Sequence, residues 1–162
     1  MNSQGPPSAG RRALMARVRQ RDTRPEMIVR RILHRAGYRY RLHAGDLPGR
    51  PDIVFRRLRK VIFVHGCFWH RHEGCRRATT PKARRTFWQN KFDENRRRDA
   101  ASVSALKQQG WEVTIVWECE TDDPHALKAR LASFLERRAT ASDLTWVECR
   151  GRRLEIRSDD AT

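Results

Sequence analysis

The sequence predicts an α/β fold in which a central sheet is flanked by helices. Two short apolar segments, Lys60–His65 and Glu112–Trp117, are typical of buried strands, and segments with helical spacing precede, separate and follow them. The chain has 162 residues, the common size of a single domain. We therefore expect one domain over residues 10–157, preceded by a disordered segment of residues 1–9 and followed by a flexible tail of residues 158–162.

Helical spacing of apolar residues predicts four helices. Residues 9–20 predict a short basic amphipathic helix, with Met15 among its apolar residues. The second helix begins at Thr23, where T-R-P-E supplies a cap, an early proline and Glu26 three residues later, and it stops at Gly37. The remaining two are the polar segment of residues 82–109 and the amphipathic segment of residues 123–138.

Strands account for most of the remaining segments. The predicted strands cover residues 38–43, residues 52–58, Lys60–His65, Glu112–Trp117 and a closing hairpin over residues 145–157. The run K-V-I-F-V-H is apolar enough to lie at the centre of a sheet. It follows the preceding strand so closely that we expect the two to pair as a hairpin.

The charge of the chain favours a polyanionic partner. Lys and Arg number 35 against 19 Asp and Glu, which gives a formal net charge of +16. A protein this basic gains affinity for nucleic acid by releasing its counterions, although charge alone does not separate DNA from RNA or from anionic lipid. No stretch approaches the roughly 18 apolar residues of a membrane span, and the first residues have no secretory signal, so we expect a cytoplasmic, reduced protein.

Cysteines in a reduced compartment are better interpreted as metal ligands or buried thiols than as disulfides. Cys67, His72 and Cys75 lie within nine residues, a spacing that lets one loop wrap a tetrahedral zinc ion. Cys119 follows a later strand and can complete the set, with Cys149 as its rival. Four protein ligands make a closed structural site; the alternative is a group of ordinary buried thiols.

Three further residues suggest hydrolysis of a phosphodiester. Asp52 begins one predicted strand and His65 ends the next, so both ends can meet at one edge of the sheet, and His70 follows closely. A carboxylate with a backbone carbonyl such as that of Val64 can hold a hard divalent ion, and a neutral histidine can take a proton from water. Alternatively, Asp52 is a turn residue and the histidines are structural. Glu26 is either a helix cap or a member of the site.

Aromatic residues accompany this segment. Phe68, Trp69 and Trp88 lie in polar, basic surroundings, whereas Trp111 and Trp117 flank or lie in a predicted buried strand and belong to the core. Aromatic side chains on a loop beside phosphate-cutting residues can wedge between base pairs at a weak or mismatched step. They can equally cover the zinc site, and both alternatives stay open.

The residues resemble the very short patch repair endonucleases of bacteria. The matching stretches are R-D-T-R-P-E at 21–26, L-P-G-R-P-D at 47–52, V-I-F-V-H-G-C-F-W-H at 61–70, F-W at 87–88 and G-W-E-V-T-I-V-W-E-C at 110–119. The resemblance implies a restriction-endonuclease-like fold, a mixed sheet with a structural zinc site, and a magnesium-dependent enzyme. Such an enzyme nicks one strand of DNA 5′ to the thymine of a T:G mismatch left by deamination of 5-methylcytosine.

The resemblance also assigns roles to residues. It implies magnesium at Asp52 and the Val64 carbonyl, and water activation by His65 and His70. It implies zinc at Cys67, His72, Cys75 and Cys119, and contacts to DNA from Met15, Phe68, Trp69 and Trp88. Two departures stand out: Val64 replaces a threonine often seen there, and the zinc loop carries one extra residue, Glu73 or Gly74.

The partners that follow are double-stranded DNA with a T:G mismatch and, functionally, a cytosine-5 DNA methyltransferase. We expect a monomer, since a single nick needs one active site, in a bacterial cytoplasm and associated with the nucleoid. Two other functions compete with the nickase. One is a zinc-stabilised DNA-binding module without catalysis, and the other is a restriction-type nuclease that cuts both strands.

Overall fold

A computed structural model describes residues 21–137 of the chain. The elements in order are α1 (Arg24–Arg35), β1 (Arg41–Leu42), β2 (Ile53–Phe55), β3 (Lys60–His65), α2 (Arg85–Gln108), β4 (Glu112–Trp117) and α3 (Pro124–Glu136). The four strands form one sheet in the order β1-β2-β3-β4, antiparallel except for the parallel pair of β3 and β4. The predicted α/β fold with a mixed sheet is confirmed.

Helix α1 begins as its sequence predicts. The Thr23 hydroxyl accepts from the Glu26 backbone N–H at 3.5 Å and donates to the Glu26 carboxylate at 2.9 Å, which caps a helix with a proline in its first turn. The helix buries Val29 and Leu33 against the sheet. It ends before Gly37, whose φ of +87° only glycine adopts without strain.

The first two strands are shorter than predicted. The predicted strand of residues 52–58 ends at Phe55, because the register pairs Phe55 with Lys60 and the chain must reverse between them. A 3-10 turn, Arg56–Leu58, makes this reversal. Only Arg41–Leu42 of the predicted strand 38–43 is paired, since the side chains of Tyr38 and Tyr40 instead pack edge-on against the Phe55 ring. The hairpin of β2 and β3 is present as expected.

Helices cover both faces of the sheet. Helices α1 and α3 pack on one face, where the core consists of Val29, Leu33, Ile53, Phe55, Ile62, Val116, Leu127, Leu131 and Leu135. The other face, with α2, consists of Ala44, Leu47, Val54, Val61, Phe63, Leu106 and Trp111. The alternation along β3, with Ile62 on one face and Phe63 on the other, is the two-residue period of a strand buried on both sides.

Strand β3 begins at a buried lysine. Lys60 is 2% exposed, and its ammonium donates to the carbonyl oxygens of Phe134 (2.7 Å), Leu135 (3.3 Å) and Arg137 at the end of α3. The Glu112 carboxylate lies 3.6 Å away. A cation here satisfies the last carbonyls of a helix and complements its dipole, so Lys60 joins the sheet to α3.

Several predictions concern residues that the structure does not describe. The helix of residues 9–20 with Met15, the hairpin of residues 145–157 with Cys149, and both terminal segments lie outside residues 21–137. Within that range, no helix is both long and apolar enough to cross a membrane.

Candidate active site and metal centre

Asp52 and His65 lie at the same end of the sheet, because β2 starts where its antiparallel partner β3 finishes. The Val64 backbone N–H donates to Asp52 Oδ2 at 2.7 Å. In a β-strand the N–H and C=O of one residue point to the same side. The Val64 carbonyl is therefore directed to the same edge of β3 as the Asp52 carboxylate, and the two groups could together hold a hard cation through oxygen.

The loop that precedes Asp52 is pressed against α2. Gly49 has a φ of +72°, and a Cβ built there would lie 2.5 Å from Ser102 Cβ and 3.2 Å from the Phe63 ring. Real Cβ atoms do not approach a side chain this closely, so only glycine allows the contact. Buried Pro51 follows and leads directly into Asp52.

Burial dominates the ionisation of Asp52. It raises the pKa of the carboxyl to about 6, although the Val64 N–H donor lowers it. The Glu26 carboxylate raises the same pKa further, whereas His43 and Arg30 lower it. A carboxylate that is costly to ionise in isolation gains most from a cation bound beside it.

His65 and His70 form a stacked pair at the end of β3. Their ring centroids are 3.8 Å apart and their planes differ by 12°. His70 Nδ1 lies 2.5 Å from Asp99 Oδ2 on α2, and all three side chains have a potential ligand or proton-carrying atom within 4.8 Å of the others. The structure thus brings the two predicted histidines together and adds a carboxylate.

The charges of this trio follow from its burial. The pKa of His65 is lowered to about 4, chiefly by burial. The neighbouring His70 adds to this lowering, whereas Asp99 opposes it. Burial raises the pKa of Asp99 and is the largest single influence, but the hydrogen bond from His70 together with the charges of His70, His65 and Arg98 makes the net shift downward. With Asp99 ionised, His70 must donate through Nδ1, which leaves Nε2 as its proton acceptor.

Sequence analysis missed Asp99. It lies in the polar segment R-R-R-D of α2, where an acidic residue looks like a solvated one. A signal was available, because Phe92, Asn95 and Leu106 are the buried residues of this helix and position 99 falls on the same helical stripe. An acidic residue on the inward stripe of a helix is a candidate for a role in the site.

Glu26 makes the helix-capping contacts that were one of its two predicted roles, and its membership of the site stays a prediction. Its side chain makes the capping contacts and is 3% exposed, and its charge also acts on Asp52. Asp22, Glu26 and His43 form a further group of potential metal ligands. The Arg30 guanidinium already lies among them, 2.6 Å from Asp22 and 3.0 Å from Glu26, so this group has its own cation.

The four predicted zinc ligands converge on one point. Potential ligand atoms of Cys67, His72, Cys75 and Cys119 all lie within 4.8 Å of one another. His72 Nδ1 is 3.3 Å from the Cys119 sulfur and 3.7 Å from that of Cys67. Three sulfurs and one nitrogen at this spacing are a donor set that suits a tetrahedral, borderline-soft ion.

The aromatic residues divide into two groups. Trp117, expected in the core, stacks on the His72 ring at 4.3 Å with the planes 7° apart, so it covers the cysteine and histidine group. Phe68, Trp69 and Trp88 instead form a separate cluster, with ring centroids 5.1 to 6.0 Å apart, that rests on Phe92 of α2. None of these three is fully buried.

Comparisons with known proteins place the chain among DNA endonucleases and nicking enzymes in sequence. Residues 7–77 match the family described as "DNA mismatch endonuclease Vsr". The chain is 54% identical over 126 residues to "Type II nicking enzyme V.XorIIP" of Xanthomonas oryzae pv. oryzae, covering 78% of this chain and 92% of the relative. It is 43% identical over 105 residues to "DNA mismatch endonuclease Vsr" of Escherichia coli, covering 65% of this chain and 67% of the relative. A nicking enzyme of Neisseria meningitidis, V.NmeAIP, is 36% identical, covering 73% of this chain and 84% of that protein.

Proposed function

This chain belongs to the family of the DNA mismatch endonuclease Vsr, and we propose that it nicks one strand of duplex DNA 5′ to the thymine of a T:G mismatch. The observation that carries the proposal is the meeting of two groups at one end of the sheet. A carboxylate and a backbone carbonyl, those of Asp52 and Val64, lie at the same end of β3 as a histidine pair that is hydrogen-bonded to Asp99. These are the parts that metal-assisted hydrolysis of a phosphodiester needs.

We assign the proton transfer to His70. Asp99 fixes its ring and engages Nδ1, so the opposite nitrogen is free to take a proton from the attacking water. His65 is neutral at pH 7 and stacks on His70, where it can hold the same water by a hydrogen bond. Asp99 stabilises the imidazolium that results, as a carboxylate does for a catalytic histidine elsewhere.

Asp52 and the Val64 carbonyl would hold a magnesium ion. The donor set fits, since both offer oxygen and Mg²⁺ takes one or two carboxylates plus substrate phosphate and water. When bound, the ion supplies positive charge against the phosphate oxygens. Glu26 is a buried carboxylate whose charge also acts on Asp52, which makes it a positioning residue for this edge.

The group of Cys67, His72, Cys75 and Cys119 would hold a structural zinc. Four protein ligands leave no open position for water, so this ion holds the loop that carries His70 and takes no part in the chemistry. Metal analysis of the purified protein should give an equimolar amount of zinc. Cys119→Ser should lower it, and zinc content unchanged in that variant would contradict the assignment.

Phe68, Trp69 and Trp88 would contact the DNA beside the mismatch. Their cluster lies apart from the zinc ligands, which favours insertion between base pairs over a role in covering the zinc site. Unstacking of bases costs least at a mismatched step. Met15 would also contact the DNA, and this remains a prediction from the resemblance. The same holds for the restriction-endonuclease-like fold, the monomeric state and the functional association with a cytosine-5 DNA methyltransferase in the cytoplasm.

The test compares end-labelled duplexes that differ in one base pair. With Mg²⁺, a T:G duplex should give one nick in the thymine strand, whereas T:A and C:G duplexes and other mismatches should react at least about 100-fold more slowly. Asp52→Asn should abolish nicking with duplex binding retained. The matched control is Asp46→Asn, an exposed carboxylate paired with Arg56, which should nick like the wild type.

Two outcomes would replace this function with its rivals. Binding of the T:G duplex without cleavage in the presence of Mg²⁺ or Mn²⁺ would indicate a binding module. Cleavage of both strands would indicate a restriction-type nuclease.

A further inference from the structure

A buried arginine lies next to the catalytic edge and outside the roles assigned so far. Arg30 is 8% exposed, and one guanidinium nitrogen lies 2.6 Å from Asp22 Oδ1. Its other terminal nitrogen lies 3.0 Å from Glu26 Oε2 and 3.0 Å from His43 Nε2. The Arg30 side chain therefore joins the start of α1 to the segment that follows β1.

Two of the three partners, Glu26 and His43, lie next to Asp52. The His43 backbone N–H donates to the Asp52 carbonyl at 3.3 Å, at the point where β1 and β2 separate. The charges of Glu26 and Arg30 both act on the Asp52 carboxyl. Asp22 and His43 have positive φ values of 54° and 47°, which is uncommon for residues other than glycine and indicates that the surroundings hold them in place.

Removing a cation from such a group is costly. Glu26 is 3% exposed, and a buried carboxylate without a counter-charge repels the neighbouring carboxylate of Asp52. The guanidinium fork suits this position, because it contacts Glu26 and His43 through one nitrogen and Asp22 through the other. A guanidinium only donates, so His43 Nε2 must accept from it and the ring proton must lie on Nδ1.

We propose that Arg30 is a positioning residue of the catalytic edge: it fixes Glu26 and His43 beside Asp52 and supplies the positive charge that lets Glu26 and Asp52 lie close together. The inference rests on the proposed function, since Asp52 matters as a ligand only if the protein cleaves DNA. It differs from a purely structural role, because the effect of Arg30 passes through the charge of Glu26.

A double-mutant cycle tests this route. Arg30→Met should lower the single-turnover nicking rate constant on the T:G duplex about tenfold, with duplex affinity within about twofold. In a Glu26→Gln background the buried carboxylate charge at position 26 is absent. There, Arg30→Met should lower the rate constant by less than about threefold. Arg31→Met, on the exposed side of the same helix, is the matched control and should leave the rate constant unchanged.

A second readout does not depend on activity. In the wild type, ¹⁵N chemical shifts of the His43 ring should show the Nδ1–H tautomer, and in Arg30→Met they should move towards the Nε2–H form. Arg30→Lys keeps the charge and loses the fork, so it should lose less activity than Arg30→Met while still altering the His43 tautomer. Arg30→Lys also replaces Arg30→Met in the cycle if the latter does not fold.

Equal losses in the two backgrounds, or an unchanged His43 tautomer in Arg30→Met, would overturn the proposal. Failure of the proposed function has a different signature, since the wild type itself would then not nick the T:G duplex. The His43 tautomer would still report on Arg30 in that case.

Discussion

The two ends of strand β3 each bury a titratable residue, but the surroundings of the two residues differ. At the first end, Lys60 is 2% exposed and meets the carbonyls that finish α3, with Glu112 nearby. At the other, His65 is 6% exposed and is stacked on a second histidine, so that burial lowers its pKa to about 4. Partners thus offset the cost of burying the charge of Lys60, whereas the protonated form of His65 has no such compensation.

The difference separates structure from chemistry within one element. A buried charge with enough partners is a fixed part of the scaffold, because each partner lowers the cost of its desolvation. A buried group with a displaced pKa keeps a strong preference for one protonation state, and such groups concentrate at functional sites. The first end of β3 therefore joins layers of the fold, and the last end carries the histidine that we propose for the reaction.

The largest effect on stability is expected from removing the buried charge of Lys60 at the first end of β3. Lys60→Met should lower the free energy of unfolding by about 3 kcal/mol, because the carbonyls at the end of α3 and Glu112 lose their cation. Denaturant unfolding measures this. Lys91→Met removes an exposed lysine paired with Glu94 and should change stability by less than about 0.5 kcal/mol. Nicking by the folded fraction of Lys60→Met should stay at the wild-type rate, and a comparable loss of rate would contradict the division between the two ends.

The second prediction concerns the support of the catalytic end. Asp99→Asn should lower the nicking rate constant about 100-fold, equivalent to about 2.7 kcal/mol, since the amide no longer fixes the His70 tautomer or stabilises its charged form. Thermal unfolding should move by only a few degrees. Asp93→Asn, on the exposed side of the same helix, serves as the control. Equal rates for the two variants would show that Asp99 does not orient His70.

The third prediction uses pH to compare two groups of the catalytic end. Between pH 4 and 6.5 the unfolded chain protonates His65 and the folded one does not, so this group makes stability rise with pH. Between pH 3.8 and 6 the folded chain keeps a proton on Asp52 that the unfolded chain has released, so this group makes stability fall with pH. Over pH 4 to 6 the two contributions oppose each other.

Variants should uncover each contribution without added divalent ions. Relative to the wild type, Asp52→Asn should gain about 2 kcal/mol of stability as pH rises from 4 to 6, and His65→Gln should lose a similar amount. Urea unfolding at several pH values measures the slopes. Parallel slopes in all three proteins would mean that neither group is displaced by burial.

Sequence reasoning succeeded where the signal is local. Lys60–His65 and Glu112–Trp117 were predicted as strands to the residue, because a run of apolar residues bounded by polar ones indicates a strand. Burial was predicted correctly for β3 but not for β4, of which only Val116 is buried. The start of α1 followed from its cap at Thr23. The convergence of Cys119 with Cys67, His72 and Cys75 was anticipated from the residue types and their spacing, with Cys149 as the rival for the fourth place.

It failed where a contact joins distant segments. Within R-R-R-D, Asp99 differs from its exposed neighbours only in lying on the helical stripe of Phe92, Asn95 and Leu106, and its partner His70 comes from a distant segment. Trp117 was assigned to the core because it ends an apolar strand, yet its ring lies on His72. The strand of residues 52–58 was drawn too long, because the reversal after Phe55 is set by pairing with β3 and not by the apolar pattern.

The contact between Gly49 and α2 has a consequence for how such sequences can diverge. No side chain fits at position 49 while Ser102 Cβ lies 2.5 Å from where its Cβ would be, and the positive φ disfavours any replacement further. A larger residue at position 102 would in turn clash with the loop at Gly49. Positions 49 and 102 are far apart in the chain, and among homologues they should therefore vary together or not at all. Paired substitutions at these positions would mark the contact between the loop before Asp52 and the helix that carries Asp99.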